Sequence, residues 1–152
     1  MYFDRILKIK KTRFFTLFFL IGIFLILFLS WKVNPNLKEL PFIPEWLSNW
    51  TDHRRNVSLR TAIPFLGLGI LVGTYINYFR RTVLNTWFFA WLILFGVVLL
   101  AEAGQFFLPS RSPDSEDLFW GGIGAAIGLT LTFLTLKLIN RIRTIHFGNK
   151  KE

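Results

Sequence analysis

The sequence predicts an all-α membrane protein, a four-transmembrane-helix bundle with both termini cytoplasmic. Three observations carry that expectation. Hydrophobic residues make up 53% of the 152-residue chain, with 18 phenylalanines and six tryptophans, more apolar surface than a soluble domain of this size can hide. Four apolar stretches reach the roughly 20 residues a helix needs to cross about 30 Å of hydrocarbon with its backbone polar groups satisfied internally. The Lys and Arg residues divide unevenly between the two sides that those stretches define.

The first span, residues 14–31, is almost purely Phe, Leu and Ile, so it is expected to face lipid over much of its surface. Its basic start resembles a secretory leader, but the apolar run is too long for one and no small-residue cleavage site follows. A retained helix is expected. The second span, 61–79, contains Pro64, Gly67, Gly69 and Gly73 and ends on Tyr75 and Tyr78. Pro64 frees a carbonyl one turn earlier, which predicts a kink there. The third, 83–103, opens with Trp87 and Trp91 and closes near Glu102; the fourth, 118–139, begins with Gly121, Gly122, Gly124, Ala125, Ala126 and Gly128. The length fits one domain over residues 1–152.

With the N-terminus inside, 12 Lys and Arg fall on the cytoplasmic side and six on the outer side: Lys32, Lys38, Arg54, Arg55, Arg60 and Arg111. That is the asymmetry of a membrane protein with both ends in the cytoplasm. The net charge of +9 could fit a nucleic-acid binder, but the basic residues border the apolar runs instead of forming a stripe. Lipid headgroups are the expected contacts, and nucleic acid is not. With no cysteine, disulfides, thiolate catalysis and cysteine-ligated metals are excluded.

The outer loop, 32–60, carries LPFIPEWLSNW, in which Trp46, Trp50, Phe42, Ile43 and Leu47 mix with Glu45 and Asn49. Such a segment lies in the membrane interface, either as a tryptophan belt that sets helix depth or as a lid over a site in the second outer loop. Two glycine pairs, Gly69 with Gly73 and Gly124 with Gly128, have the four-residue spacing that puts both on one helix face. They predict close packing of the second span on the fourth, with homodimerisation as the alternative.

The chemically distinctive stretch is 101–128, AEAGQFFLPSRSPDSEDLFWGGIGAAIG. Glu102, Gln105, Arg111, Asp114 and Asp117 stand at the outer membrane face. Glu102 and Gln105 share a helix face if the third helix continues through them. Asp114, Ser115 or Glu116 is placed to cap the fourth helix after Pro113. Ionisable groups at a membrane boundary are costly unless paired, so Arg111 is expected among Glu102, Asp114 and Asp117.

The order Glu, two residues, Gln, then Leu-Pro-x-Arg, then Asp, two residues, Asp and a glycine-rich helix start resembles the signature of the VanZ-like family of bacterial membrane proteins. Glu102, Gln105, Arg111, Asp114, Asp117, Gly124 and Gly128 match that pattern position by position. The family asparagine four residues after the second aspartate is here Gly121, which removes one amide group. A weaker match covers Asn56 and then Pro64 and Gly67, in altered spacing. The resemblance implies a multi-pass membrane location and a link to glycopeptide resistance, chiefly to teicoplanin.

The residues support several functions. In the first, the five polar groups bind the headgroup of a membrane lipid or lipid-linked envelope precursor, with the planar fork of Arg111 taking an anion. Alternatively, the same groups form a closed network that only fixes the helix hairpin. A membrane-protein partner docked on the phenylalanines of the first span would make the chain an accessory subunit. Asp114, Glu116 and Asp117 around a divalent cation would make it a phosphoester enzyme, but the longer aspartate framework expected of membrane phosphotransferases is missing. His53 and His146 are expected in solvent. No catalytic residue, resident metal or cofactor is expected.

Overall fold

The computed structural model describes the chain apart from residues 1, 35, 42, 80–82, 110–113 and 149–152, and apart from the side chains of residues 2–8, 54, 57, 140 and 143–148. Among the described residues five α-helices follow one another: α1 (Tyr2–Ser30), the short α2 (Glu45–Thr51), α3 (Val57–Tyr78), α4 (Leu84–Gln105) and α5 (Ser115–Gly148). There is no strand among the described residues. Among the described residues four helices are long and apolar enough to cross a membrane, over Ile9–Ser30, Ser58–Tyr78, Leu84–Gln105 and Ser115–Ile139.

The helices outrun the apolar stretches that mark them. At 29 and 34 residues, α1 and α5 extend about 43 and 51 Å, against about 30 Å of hydrocarbon. Backbone hydrogen bonding does not stop where the side chains turn polar, so hydropathy locates the membrane and not the helix ends. Pro64 lies inside α3 without interrupting it.

In lipid, apolar surface gains little by moving from acyl chains to another helix, so packing rests on van der Waals fit and close backbone approach. α3 and α5 achieve this by running parallel with glycines at the crossing. A Cβ on Gly124 would overlap the Ala62 carbonyl oxygen, and one on Gly128 would overlap that of Leu66. A Cβ on Gly69 would lie 2.6 Å from the Ala125 carbonyl oxygen, and one on Gly73 would lie 2.8 Å from Thr132 Cβ. The four glycines therefore bring two backbones of one chain together. α4 runs antiparallel to α5 and inserts the fully buried side chains of Leu94 and Val98 among Phe65, Leu68, Ala125 and Leu129.

α1 is attached differently. None of the residues in its apolar window is buried, and Phe19, Ile23 and Ile26 only lean on the core. Two clasps hold it. At its C-terminal end the Ser30 hydroxyl (3.1 Å) and the Trp31 indole N–H (3.0 Å) both donate to the Ala101 carbonyl of α4. Toward its N-terminal end Phe15 meets Tyr75 edge-on at 5.7 Å, and Lys11 Nζ sits 4.8 Å from the centre of the Tyr78 ring. Between the clasps, cavities open on either side of α1.

The segment between α1 and α3 is folded back on itself. The Asp52 carboxylate accepts the backbone N–H groups of Leu37 (3.0 Å) and Lys38 (3.3 Å), which buries Leu37. α2 turns Ser48 and Thr51 inward and leaves Trp46 72% exposed, the placement of an interfacial anchor. Asp52→Ala is expected to release this turn at a cost of about 1–2 kcal/mol. Limited proteolysis should then cut between residues 32 and 56 faster while the four long helices stay protected.

Candidate functional site

The C-terminal ends of α1 and α4 and the N-terminal ends of α3 and α5 meet at one end of the bundle. The polar residues there lie within about a turn of a helix end, in one layer roughly 5 Å deep. α4 continues through Gln105, which puts Glu102 and Gln105 on one face, 6% and 4% exposed. Gln105 Nε2 donates to Glu102 Oε1 (3.2 Å) and to the Ser30 hydroxyl (3.0 Å). Glu102 Oε2 accepts the Asp114 backbone N–H at 3.1 Å. Asp114 in turn caps α5, its Oδ1 accepting the Glu116 N–H at 2.9 Å. Asp117, one turn into α5, reaches across to α3, where the Thr61 hydroxyl donates to its Oδ1 at 2.5 Å.

Four of the five motif residues are thus joined to the ends of α1, α3, α4 and α5. Arg111 lies outside the described residues, as do Ser112 and Pro113. Asp114, Glu116 and Asp117 do not converge on a point, and no group of three metal-ligating side chains exists among the described residues.

Beside this layer is a cavity of about 540 Å³. Its polar lining is Ser30, Arg60, Thr61, Glu102, Gln105 and Asp117. Leu37, from the folded segment between α1 and α3, closes on the same end, and the rest of the wall is hydrocarbon, from Leu29 and Pro64 down to Phe18 and Leu71. What the arrangement can do follows from its donors and acceptors. Ionised carboxylates accept only, so Glu102 and Asp117 suit hydroxyl donors, while Arg60 suits an anion. On the far side of α1 a second cavity of about 470 Å³ is lined by residues such as Phe19, Val72, Ile76 and Leu94 and lacks charged groups.

Several of these residues escape sequence reasoning. Arg60 counts there only toward the loop charge, and Ser30 and Thr61 are single hydroxyls at helix ends. Gly104, inside the Glu-Ala-Gly-Gln run, is the one available signal for the Trp31 contact: a Cβ there would overlap the indole ring. Gly104→Leu is expected to unseat Trp31 and loosen the C-terminal end of α1, read as faster hydrogen exchange over residues 25–31 with α3 and α5 unchanged. Gly121, at the family asparagine position, packs against α4 and α3, where a Cβ would lie 2.8 Å from Val98 Cγ1 and 3.3 Å from Phe65 Cδ2. A side chain there would have to displace the ends of the Val98 and Phe65 side chains.

Fold and site together define a multi-pass helical membrane protein with an amphipathic cavity headed by buried polar groups. Residues 14–137 match the family model described as VanZ/LLP1, and the chain belongs to that family. No curated protein and no solved structure matches it.

Proposed function

We propose that this protein binds the headgroup of an envelope lipid or lipid-linked cell-wall intermediate at the extracytoplasmic face of the bacterial cell membrane. The observation that carries the reading is the cavity: six polar side chains at one end and hydrocarbon below match a lipid with a hydroxyl-rich, phosphate-bearing head. Arg60 and Arg111 take the phosphate, and Glu102, Gln105 and Asp117 take hydroxyls. The 12-to-six split of basic residues supports placing both termini in the cytoplasm and this end outside. A reporter fused after Lys151 is expected to report cytoplasm and one inserted near Asn49 the exterior; the reverse at either site would move the cavity to the other leaflet.

The reading extends to glycopeptide resistance, supported by family membership. A strain lacking the protein is expected to show an altered envelope lipid or wall-precursor profile and a changed sensitivity to teicoplanin beside vancomycin. An unchanged envelope profile would contradict the proposal. One observation favours a second reading, an accessory subunit: Phe14, Leu17, Leu20 and Phe24 of α1 are all more than half exposed. A pull-down in mild detergent that yields a stoichiometric larger partner would support it.

A further inference from the structure

The cavity continues along α1 from Ser30 to Phe18, about 18 Å at 1.5 Å per residue, well past the polar layer. Its two side walls are α1 and α3. Phe18 and Leu25 on α1, and Pro64 and Gly67 on α3, line it and are exposed to the surroundings. The cavity is therefore a slot with an open side between two membrane-spanning helices, and what lies beyond that side in a bilayer is acyl chain. Between its two clasps α1 comes close to α3 at Gly22, where a Cβ would lie 2.7 Å from Leu68 Cδ2, and both residues line the slot.

One glycine marks the slot as more than a packing gap. Gly69, Gly73, Gly124 and Gly128 each face a neighbour that a Cβ would strike, whereas a Cβ on Gly67 meets nothing within 4 Å. Gly67 is not needed for helix packing; its missing side chain keeps the middle of the slot empty.

We propose that the ligand enters sideways between α1 and α3 and lays one hydrocarbon chain in this slot, past Gly67, while its hydroxyl- and phosphate-bearing headgroup meets Arg60, Thr61, Glu102, Gln105 and Asp117. The inference rests on the headgroup reading above and adds the chain, its path and its place in the outer leaflet. The occupant is a lipid and not a soluble sugar phosphate, because most of the wall is apolar and its open side faces hydrocarbon.

The test uses the full-length protein in nanodiscs of zwitterionic lipid and, as probe, lysophosphatidylglycerol with a diazirine midway along its single chain. Competable photolabelling of wild type is expected on residues 18–29 and 64–71. Gly67→Phe, whose Cβ meets nothing within 4 Å and whose ring would fill the slot, is expected to lower labelling about tenfold with an unchanged melting temperature. Gly67→Ala should lower it less. Gly96→Phe is the control, since a Cβ there also meets nothing within 4 Å but the residue is outside the cavity lining. Leu25→Trp blocks the slot from the α1 side should Gly67→Phe melt early. If both slot variants label like wild type while Glu102→Gln with Asp117→Asn does not, the slot is overturned and the headgroup reading stands. If the slot variants lose labelling and the headgroup pair keeps it, the slot stands and the headgroup reading falls. Labels spread over the lipid-facing surface of every helix would overturn both.

Discussion

Gly124→Leu and Gly128→Leu are expected to destabilise the detergent-solubilised protein more than any other single glycine substitution. Both positions face backbone. The Ala62 and Leu66 carbonyl oxygens occupy the space a Cβ would take, and Gly128 also has Ile70 N at 2.9 Å and Gly69 Cα at 3.0 Å from that point. Backbone cannot rotate aside as a side chain can, so α3 and α5 must separate, at about 3 kcal/mol or more. Gly69→Leu, against the Ala125 carbonyl oxygen and the Gly128 backbone, should follow. Gly73→Leu should cost less, because it meets the Thr132 side chain. At Gly67 and Gly96 a Cβ meets nothing within 4 Å, so Gly67→Leu and Gly96→Leu should stay within about 0.5 kcal/mol, even gaining slightly in helix propensity. Thermal unfolding followed by tryptophan fluorescence gives the order. Equal tolerance at all six positions would show that α3 and α5 are not held by close backbone contact.

Arg111→Ala is expected to leave a folded, membrane-inserted protein that fails to complement the deletion strain. Glu102 and Asp117 have hydrogen-bond partners within the described residues: the Gln105 amide and the Asp114 N–H for one, the Thr61 hydroxyl for the other. Removing the arginine therefore strands neither carboxylate without a hydrogen bond, and the fold should survive. Arg111→Lys should recover only part of the function, since an ammonium keeps the charge without the bidentate fork. If Arg111 served only to fix the α4–α5 hairpin, abundance and melting temperature would fall together with complementation. The measurement is membrane abundance and thermal stability beside growth of the complemented strain under teicoplanin.

Helices, glycine spacing and polar stretch are legible in the sequence because each is local. Four long apolar runs, paired glycines four apart, and a Glu and a Gln three apart need no knowledge of the rest of the chain. The parts of the site that come from elsewhere leave no such trace. Ser30, Arg60 and Thr61 reach the cavity because α1 and α3 end beside α4 and α5, and no spacing encodes that. Gly67 and Gly69 look alike in sequence, yet one faces an open slot and the other a carbonyl oxygen; the rotation of α3 against α5 separates them. Asp52 reads as one more loop acid, and only the fold shows its carboxylate holding the turn that buries Leu37.

The central claim, that the polar end of the bundle binds a lipid headgroup, is tested most directly by the lipid the purified protein retains. Native mass spectrometry of wild type released from its own membrane should show one bound phosphate-bearing lipid, lost in the Arg111→Ala, Asp117→Asn double variant while its melting temperature stays near that of wild type. Equal retention of the same lipid by wild type and the double variant would contradict the claim.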